Sequence, residues 1–343
     1  MNPNASTDSR VDPRVSALLP RWPQDSPTNV ASRDELLAEA NSPEGRRSAA
    51  LEAAFMNEAD NEAVSPSEGL SITDRDITVA PEGNRINIRV IRPRGNQTLA
   101  CVYFIHGGAM SSLSCYFGNY SAWAKILAAK GVAVVMVDFR NAVVPSSVPE
   151  VAPFPAGLND CVGGLEWLHA HADELGIDPA RVVVAGESGG GNLTIATGLS
   201  LQRRGKLHLV RGLYALCPYL NGHWPDERYP SSVEFNGYGL ELHSNRGAMA
   251  YGIDAFTERD PLAWPGFATA ADLAGLPPTV ISVNECDPLR DEGVALYRRL
   301  LEAGVEARGR MVLGTTHATE LYPTLCPEIT HATASDLVAF ARL

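Results

Sequence analysis

One serine lies in a sequence pattern that can turn a hydroxyl group into a nucleophile. Residues 186–190 read Gly-Glu-Ser-Gly-Gly, a G-x-S-x-G pattern between the apolar run 182–185 and a helical pattern. Small flanking residues allow a tight turn, which would expose the Ser188 hydroxyl at a helix N-terminus, where negative charge is stabilised. The pattern could instead be an ordinary glycine-rich turn between a strand and a helix. A phosphate-binding loop is disfavoured, because no Gly-Lys-Ser/Thr sequence follows. We predict that Ser188 is a nucleophile and that Glu187 orients the turn.

A second glycine-rich turn could stabilise the negative charge that such a nucleophile creates on a carbonyl oxygen. The apolar run 99–105 ends in the sequence His-Gly-Gly-Ala. Backbone N–H groups of such a turn can bind an oxyanion if the side chains are small or absent. His106 is expected to fix this loop by a hydrogen bond and not to act as a base. The sequence does not say which N–H groups point inward, so the oxyanion hole is assigned jointly to Gly107, Gly108, Ala109 and the residue after the nucleophile, Gly189.

A base and an acid for the serine follow later in the chain, each just after a predicted strand. His317 comes four residues after 305–313, the predicted last strand, in the sequence Gly-Thr-Thr-His. Asp287 comes just after the run 280–283, and Glu285 is the alternative acid. The order serine, acid, histidine is the one found in hydrolases that have a nucleophile elbow. We therefore predict a catalytic triad of Ser188, Asp287 and His317.

The elements that would position these residues alternate along the chain. Near-continuous apolar runs are typical of strands buried on both faces of a parallel sheet, and helical patterns separate them here. The sequence therefore predicts an α/β fold with a central, mostly parallel sheet. A β-hairpin at 72–79 and 85–91 precedes the alternation. The apolar runs are 99–105, 132–137, 182–185 and 280–283, the last strand is predicted at 305–313, and the helices are 120–129, 157–171, 192–203 and 291–303.

Two segments fall outside this alternation. Residues 219–265 are rich in Gly, Pro, Tyr and Trp, contain a predicted helix at 246–256, and form an insertion at the strand ends that border the site in such folds. The N-terminal segment 1–70 carries a helical apolar stripe of Leu51, Ala54 and Phe55, which either packs on the core or forms a lid. The sheet itself is assigned to residues 71–218 and 266–343.

The composition of the chain disfavours some classes of binding partner and of cellular location. The 343 residues carry a formal net charge of −12, which disfavours nucleic acid and anionic membranes because both require clustered Lys and Arg. No apolar run approaches the roughly 18 residues of a membrane span, and no signal peptide is visible. The six cysteines include no C-x-x-C pair, so we expect reduced thiols in a cytoplasmic protein, none of them catalytic or metal-binding.

Three motifs together resemble the hormone-sensitive-lipase-like family of bacterial carboxylesterases, over a stretch from about Asp74 to the C-terminus. They are H-G-G at 106–108, G-E-S-G-G at 186–190 and D-P-L-R-D-E-G at 287–293. The resemblance implies an α/β-hydrolase fold, a helical cap built from the N-terminal helices and the 219–265 insertion, and Asp287 as the acid. It also implies hydrolysis of small to medium carboxylic esters or lactones through an acyl-enzyme, without a cofactor or metal.

The chain departs from the family pattern at two places near the expected pocket. Ala109 replaces the usual third glycine, and D-F-R-N at 138–141 replaces the common D-Y-R-L-A-P-E. Both changes bear on substrate identity more than on mechanism. An acyltransferase with the same triad is one alternative, and a homodimer is a candidate assembly. A non-catalytic ligand receptor is the other alternative, disfavoured because such receptors lose a triad member.

Overall fold

A single eight-stranded sheet forms the centre of the protein. The computed structural model describes residues 5–22 and 28–343, so residues 1–4 and 23–27 of the predicted N-terminal segment lie outside the described residues. The strand order is β1-β2-β4-β3-β5-β6-β7-β8; β2 is antiparallel to both of its neighbours, and the other pairs are parallel. The strands are β1 Leu70–Val79, β2 Asn84–Pro93, β3 Leu99–Ile105, β4 Ala133–Asp138, β5 Ile177–Glu187, β6 Gly212–Leu216, β7 Thr279–Asn284 and β8 Ala307–Val312.

Helices cover both faces of this sheet, as the sequence predicted for an α/β fold. Every residue of β3 is buried, and its side chains alternate between two apolar cores. The helices of the described residues are α1 Pro13–Leu18, α2 Arg33–Asn41, α3 Pro43–Asn57, α4 Gly118–Ala129, α5 Ala156–Ala170, α6 Ala172–Leu175, α7 Gly189–Arg203, α8 Ser231–Glu234, α9 Arg246–Tyr251, α10 Ile253–Thr257, α11 Ala270–Leu273, α12 Arg290–Glu302 and α13 Pro327–Arg342. Helices α4 and α13 pack on one face, and α5, α7 and α12 pack on the other.

Most predicted elements are confirmed within a few residues. The helix predicted at 246–256 is instead two short helices, α9 and α10, which meet at Gly252. Strand β6 and helix α13 were not predicted. No helix in the described part of the chain combines the length and apolar character that crossing a membrane would require.

The carboxyl ends of the parallel strands bring the predicted site residues to one edge of the sheet. Strand β3 runs into the His106 loop and β5 runs into Ser188. Strands β7 and β8 end shortly before Asp287 and His317. Open α/β sheets bind ligands at this edge, so the topology places the predicted catalytic residues where a site is expected.

The N-terminal segment packs against the 219–265 insertion. Val30 and Asn245 form two hydrogen bonds, from Val30 N to Asn245 Oδ1 at 2.9 Å and from Asn245 Nδ2 to Val30 O at 2.8 Å. Arg246 binds the Glu39 carboxylate at 2.7 Å and donates from Nε to Thr28 O at 2.8 Å. The two segments that fall outside the α/β alternation are therefore joined to each other.

The predicted apolar stripe on the N-terminal helix is wrong in its orientation. Leu51 is 72% exposed and Ala54 is also exposed. Of the three predicted residues, Phe55 does lie on the packed side of α3, where its ring contacts Trp22, and the unpredicted Met56 is buried beside it. The buried face of α3 is thus shifted by about one residue from the predicted face. A helix advances about 100° per residue, and two adjacent faces of α3 both contain apolar side chains, so the pattern alone does not distinguish them.

Candidate active site

Ser188 lies on a tight turn between β5 and α7. Its backbone has φ 56° and ψ −116°, a left-handed conformation that residues other than glycine rarely adopt. Neighbouring backbone approaches so closely that a Cβ atom at Gly190 would lie 2.0 Å from the carbonyl oxygen of Ile105. The glycines of the G-x-S-x-G pattern are therefore required by this close packing, and the serine itself carries the backbone strain.

His317 is held from behind by Asp287. The Nδ1 atom of His317 lies 2.8 Å from Asp287 Oδ2, and the Asp287 side chain is fully buried. The second oxygen, Oδ1, accepts a hydrogen bond from the N–H group of Leu289 at 2.9 Å. Both carboxylate oxygens are thus fixed, which orients the imidazole and leaves its Nε2 atom for other partners.

Glu285, the alternative acid, has a different partner. Its Oε2 atom accepts a hydrogen bond from the N–H group of Gly314 at 2.8 Å, in the turn that precedes His317. Of the two candidate carboxylates, Asp287 is therefore the one that contacts the histidine.

The electrostatic environment of His317 favours its protonated form. Burial of the imidazole opposes protonation, but the adjacent Asp287 carboxylate outweighs this effect and raises the pKa of His317 well above its usual value. His106 behaves in the opposite way, since burial lowers its pKa. Its Nδ1 atom lies 3.0 Å from the carbonyl oxygen of Gly107, and its ring stacks on Phe139, as expected for a histidine that fixes the loop.

The loop after β3 brings backbone N–H groups close to Gly189, the residue after Ser188. Gly108, Ala109 and Met110 all have positive φ values, and a Cβ atom at Gly108 would lie 2.3 Å from Ser112 O. Within residues 5–22 and 28–343, the N–H groups of Gly108, Ala109 and Gly189 donate no hydrogen bond to the protein. Unpaired backbone donors are rare in buried regions, so these three groups are suited to bind an oxyanion.

Gly107 differs from its neighbours and is a correction to the joint assignment. Its N–H group donates to the hydroxyl oxygen of Tyr120 at 2.9 Å, so it is not directed at a substrate. The Tyr120 hydroxyl in turn donates to Glu187 Oε2 at 2.9 Å. Tyr120 therefore links the loop after β3 to the residue before Ser188, a role that the sequence analysis missed because it is a contact between distant residues.

Glu187 reaches beyond this link to the histidine. Its Oε1 atom lies 3.5 Å from His317 Nε2, and its side chain is almost completely buried. Burial raises the pKa of Glu187, while the neighbouring His317 and the hydrogen bond from Tyr120 act in the opposite direction. Glu187 is thus fixed by Tyr120 beside the turn, and its carboxylate is also part of the electrostatic environment of the imidazole.

A cavity of about 340 Å³ opens onto Ser188 and His317. This volume lies at the small end of the range of roughly 300–1,000 Å³ found for small-molecule sites. Its walls include the loop after β3, the N-terminal segment and the insertion; residues from the last two are Trp22, Leu36, Glu52, Met56, Tyr219, Gly239, Leu240, Glu241, Leu242, Ser244, Arg246, Gly247 and Ala250.

The fold and the site agree with known protein families. A family model described as alpha/beta hydrolase fold matches residues 102–321. The chain belongs to this family. The hydrolase is 33% identical over 250 residues to an arylesterase of Saccharolobus solfataricus, an alignment that covers 71% of the chain and 76% of the relative.

Solved esterase structures match almost the whole hydrolase. The structure of esterase Est22 is 55% identical, covers 99% of both chains and has a TM-score of 0.97. Brefeldin A esterase, described as a bacterial homologue of human hormone-sensitive lipase, is 36% identical, with a TM-score of 0.87 and coverage of 98% of the hydrolase and 94% of that chain. The predicted resemblance to the hormone-sensitive-lipase-like family is confirmed, and the hydrolase is a carboxylesterase.

Proposed function

We propose that the carboxylesterase hydrolyses small to medium esters or lactones with a triad of Ser188, His317 and Asp287. The observation that carries this proposal is the arrangement around one cavity. Ser188 and His317 both line it, Asp287 accepts the Nδ1 hydrogen bond of His317, and unpaired backbone N–H groups lie in the loop beside the serine.

The proposed reaction has two steps that use the same groups. In the first, Ser188 Oγ attacks the ester carbonyl while His317 Nε2 takes its proton and Asp287 holds the imidazole in the correct tautomer. The N–H groups of Gly108, Ala109 and Gly189 would stabilise the negative charge on the carbonyl oxygen. His317 then protonates the leaving alcohol, and a water molecule, activated by the same imidazole, releases the acid from the serine.

The cavity supports short acyl or alcohol groups as substrates. Est22, which is 55% identical to this chain, has been solved with p-nitrophenol. We therefore propose p-nitrophenyl esters as test substrates, in a series from acetate to laurate beside a macrocyclic lactone. Because about 340 Å³ cannot enclose a long chain, kcat/KM should fall by about tenfold or more between the best short ester and laurate. A preference for laurate would contradict this assignment of substrate size.

Product analysis of the same reactions separates hydrolysis from acyl transfer. With a primary alcohol added as a competing acceptor, a hydrolase releases mainly the free acid, whereas an acyltransferase forms mainly the new ester. The esterase relatives favour hydrolysis. They give no support to the non-catalytic receptor alternative.

The pH dependence should report the state of the proposed base. Protonated imidazole cannot accept the serine proton, so kcat/KM should rise with pH through one step at the pKa of His317. Because Asp287 raises that pKa, the midpoint should lie above about 6.5, the ordinary value for histidine. A pH–rate profile on p-nitrophenyl acetate tests this, and a midpoint well below that value would contradict the base assignment.

We also propose that the segments at 1–70 and 219–265 act together as a cap over the core formed by 71–218 and 266–343. Two observations support this proposal: residues of both segments line the cavity, and Asn245 and Arg246 bind the N-terminal segment. A cap of this kind excludes water from the reacting groups and shapes the space available to the substrate.

A further inference from the structure

Three side chains with good metal-binding atoms converge beside the nucleophile. Cys217 directly follows β6, and the Sγ atom of Cys217, Nε2 of His317 and an oxygen of Glu187 all lie within 4.8 Å of one another. All three residues are buried. Among the described residues this is the one group of three or more such side chains close enough to share an ion.

The spacing of these atoms fits a tetrahedral zinc ion. Zinc binds thiolate at about 2.3 Å and imidazole or carboxylate at about 2.0–2.2 Å, so its ligand atoms lie about 3.3–3.6 Å apart. The separation between His317 Nε2 and Glu187 Oε1 is 3.5 Å, and Cys217 Sγ lies within 4.8 Å of the ligand atoms of both residues. A fourth position would face the cavity that Glu187 and His317 line.

The surrounding hydrogen bonds also resemble those of a metal site. Metal-binding histidines donate their other ring N–H to a carboxylate, which fixes the tautomer and strengthens the ligand. His317 does this through Nδ1 to Asp287 at 2.8 Å. Glu187 is fixed in the same way by Tyr120 on Oε2, which leaves Oε1 directed toward the histidine.

We propose that Cys217, His317 and Glu187 bind Zn²⁺ or a similarly thiophilic divalent cation, and that the bound cation blocks ester hydrolysis reversibly. Inhibition, unlike binding, rests on the proposed function, because the cation would occupy the Nε2 lone pair that His317 needs as a base. The sequence analysis expected no metal-binding cysteine. Because strand β6 was not predicted, no sequence signal placed Cys217 at the edge of the sheet where the site lies.

Binding requires the thiol to lose its proton. Zinc binds cysteine as the thiolate, and the Cys217 side chain is almost completely buried. The cation therefore displaces the Sγ proton into solvent as it forms the bond to sulfur. The cavity beside His317 provides the route by which the ion enters and the proton leaves.

The test is a zinc titration of the purified, chelator-treated enzyme, followed by hydrolysis of p-nitrophenyl acetate. Cys217→Ser removes the sulfur ligand, and its rate in zinc is compared with its own zinc-free rate. It should raise the zinc concentration for half-inhibition at least about tenfold. Even the loss of a hydrogen-bond partner that only orients a ligand typically lowers metal affinity 10–100-fold. Cys326→Ser is the matched control, because Cys326 is also buried but belongs to a different apolar cluster. Equal zinc inhibition of wild type, Cys217→Ser and Cys326→Ser would overturn the proposal.

A binding measurement separates this inference from the proposed function. Cd²⁺ bound to a thiolate gives an ultraviolet charge-transfer band that does not depend on turnover. Ser188→Ala should show this band with one equivalent of Cd²⁺, and Cys217→Ser should lack it. If the band is absent from wild type and Ser188→Ala, the metal site is wrong whether or not the enzyme hydrolyses esters. If the band forms but zinc does not inhibit, the proposed role of His317 as base is wrong while the site stands.

Discussion

Replacing Ser188 with alanine should reduce kcat for p-nitrophenyl acetate by roughly 10⁴-fold or more, with the fold unchanged. The substitution removes only the hydroxyl oxygen that would form the acyl-enzyme, and alanine fits the same turn. The neighbouring backbone bonds, such as Ser188 N to Leu216 O at 2.9 Å, do not involve the side chain. Activity assays together with circular dichroism and thermal melting would measure both parts of this expectation.

Ser244→Ala is the matched control for this experiment. Ser244 also lines the cavity, but it lies on the insertion and not on the turn after β5. Its loss should change kcat by only a few-fold, as expected for a side chain that shapes the cavity without reacting. If Ser188→Ala keeps most of the activity while remaining folded, the nucleophile is another residue.

Replacing Asp287 with asparagine should cost about 10⁴-fold in kcat, the size of the effect in comparable triads. Asparagine has nearly the same shape and can still accept the hydrogen bond from Leu289 at its Oδ1 position. It cannot accept from His317 Nδ1 as a carboxylate does, so the imidazole would be held in the wrong tautomer. Steady-state kinetics over a range of pH would measure the loss.

Glu285→Gln tests the alternative acid at the same time. Glutamine can keep the hydrogen bond to the Gly314 N–H group through its carbonyl oxygen, so this variant should retain most of its activity. A crippled Glu285→Gln beside a nearly normal Asp287→Asn would reverse the assignment. If both variants are nearly normal, the serine and histidine act as a dyad and the triad is wrong.

The positions of the proposed catalytic residues could be predicted because local signals coincide with chain order. Ser188, Asp287 and His317 each follow a strand, and parallel strands bring their carboxyl ends to one edge of the sheet. Glycines mark both backbone turns because side chains would collide there, so the sequence carries that information directly.

Other features depend on contacts that periodicity does not encode. Strand β6 has five residues, begins with glycine and follows Arg211, so its pattern is too short to distinguish from a loop. Helix α3 has apolar residues on adjacent faces, and only the tertiary packing of Phe55 decides which face is buried. The hydrogen bond between Tyr120 and Glu187 joins residues 67 positions apart, beyond the reach of any local pattern.

The contact between the N-terminal segment and the insertion links the heat sensitivity of the reaction to that of the sheet. Val30 and Asn245 lie 215 positions apart and are joined by two hydrogen bonds. Val30 and Leu36 are also buried, together with Leu242 of the insertion, in the apolar core that covers one face of the sheet. Elements that share a buried core open together, at a free-energy cost close to that of the whole domain. Warming should therefore release the walls of the cavity and the strands in one transition, so that activity and secondary structure are lost over the same range of temperature.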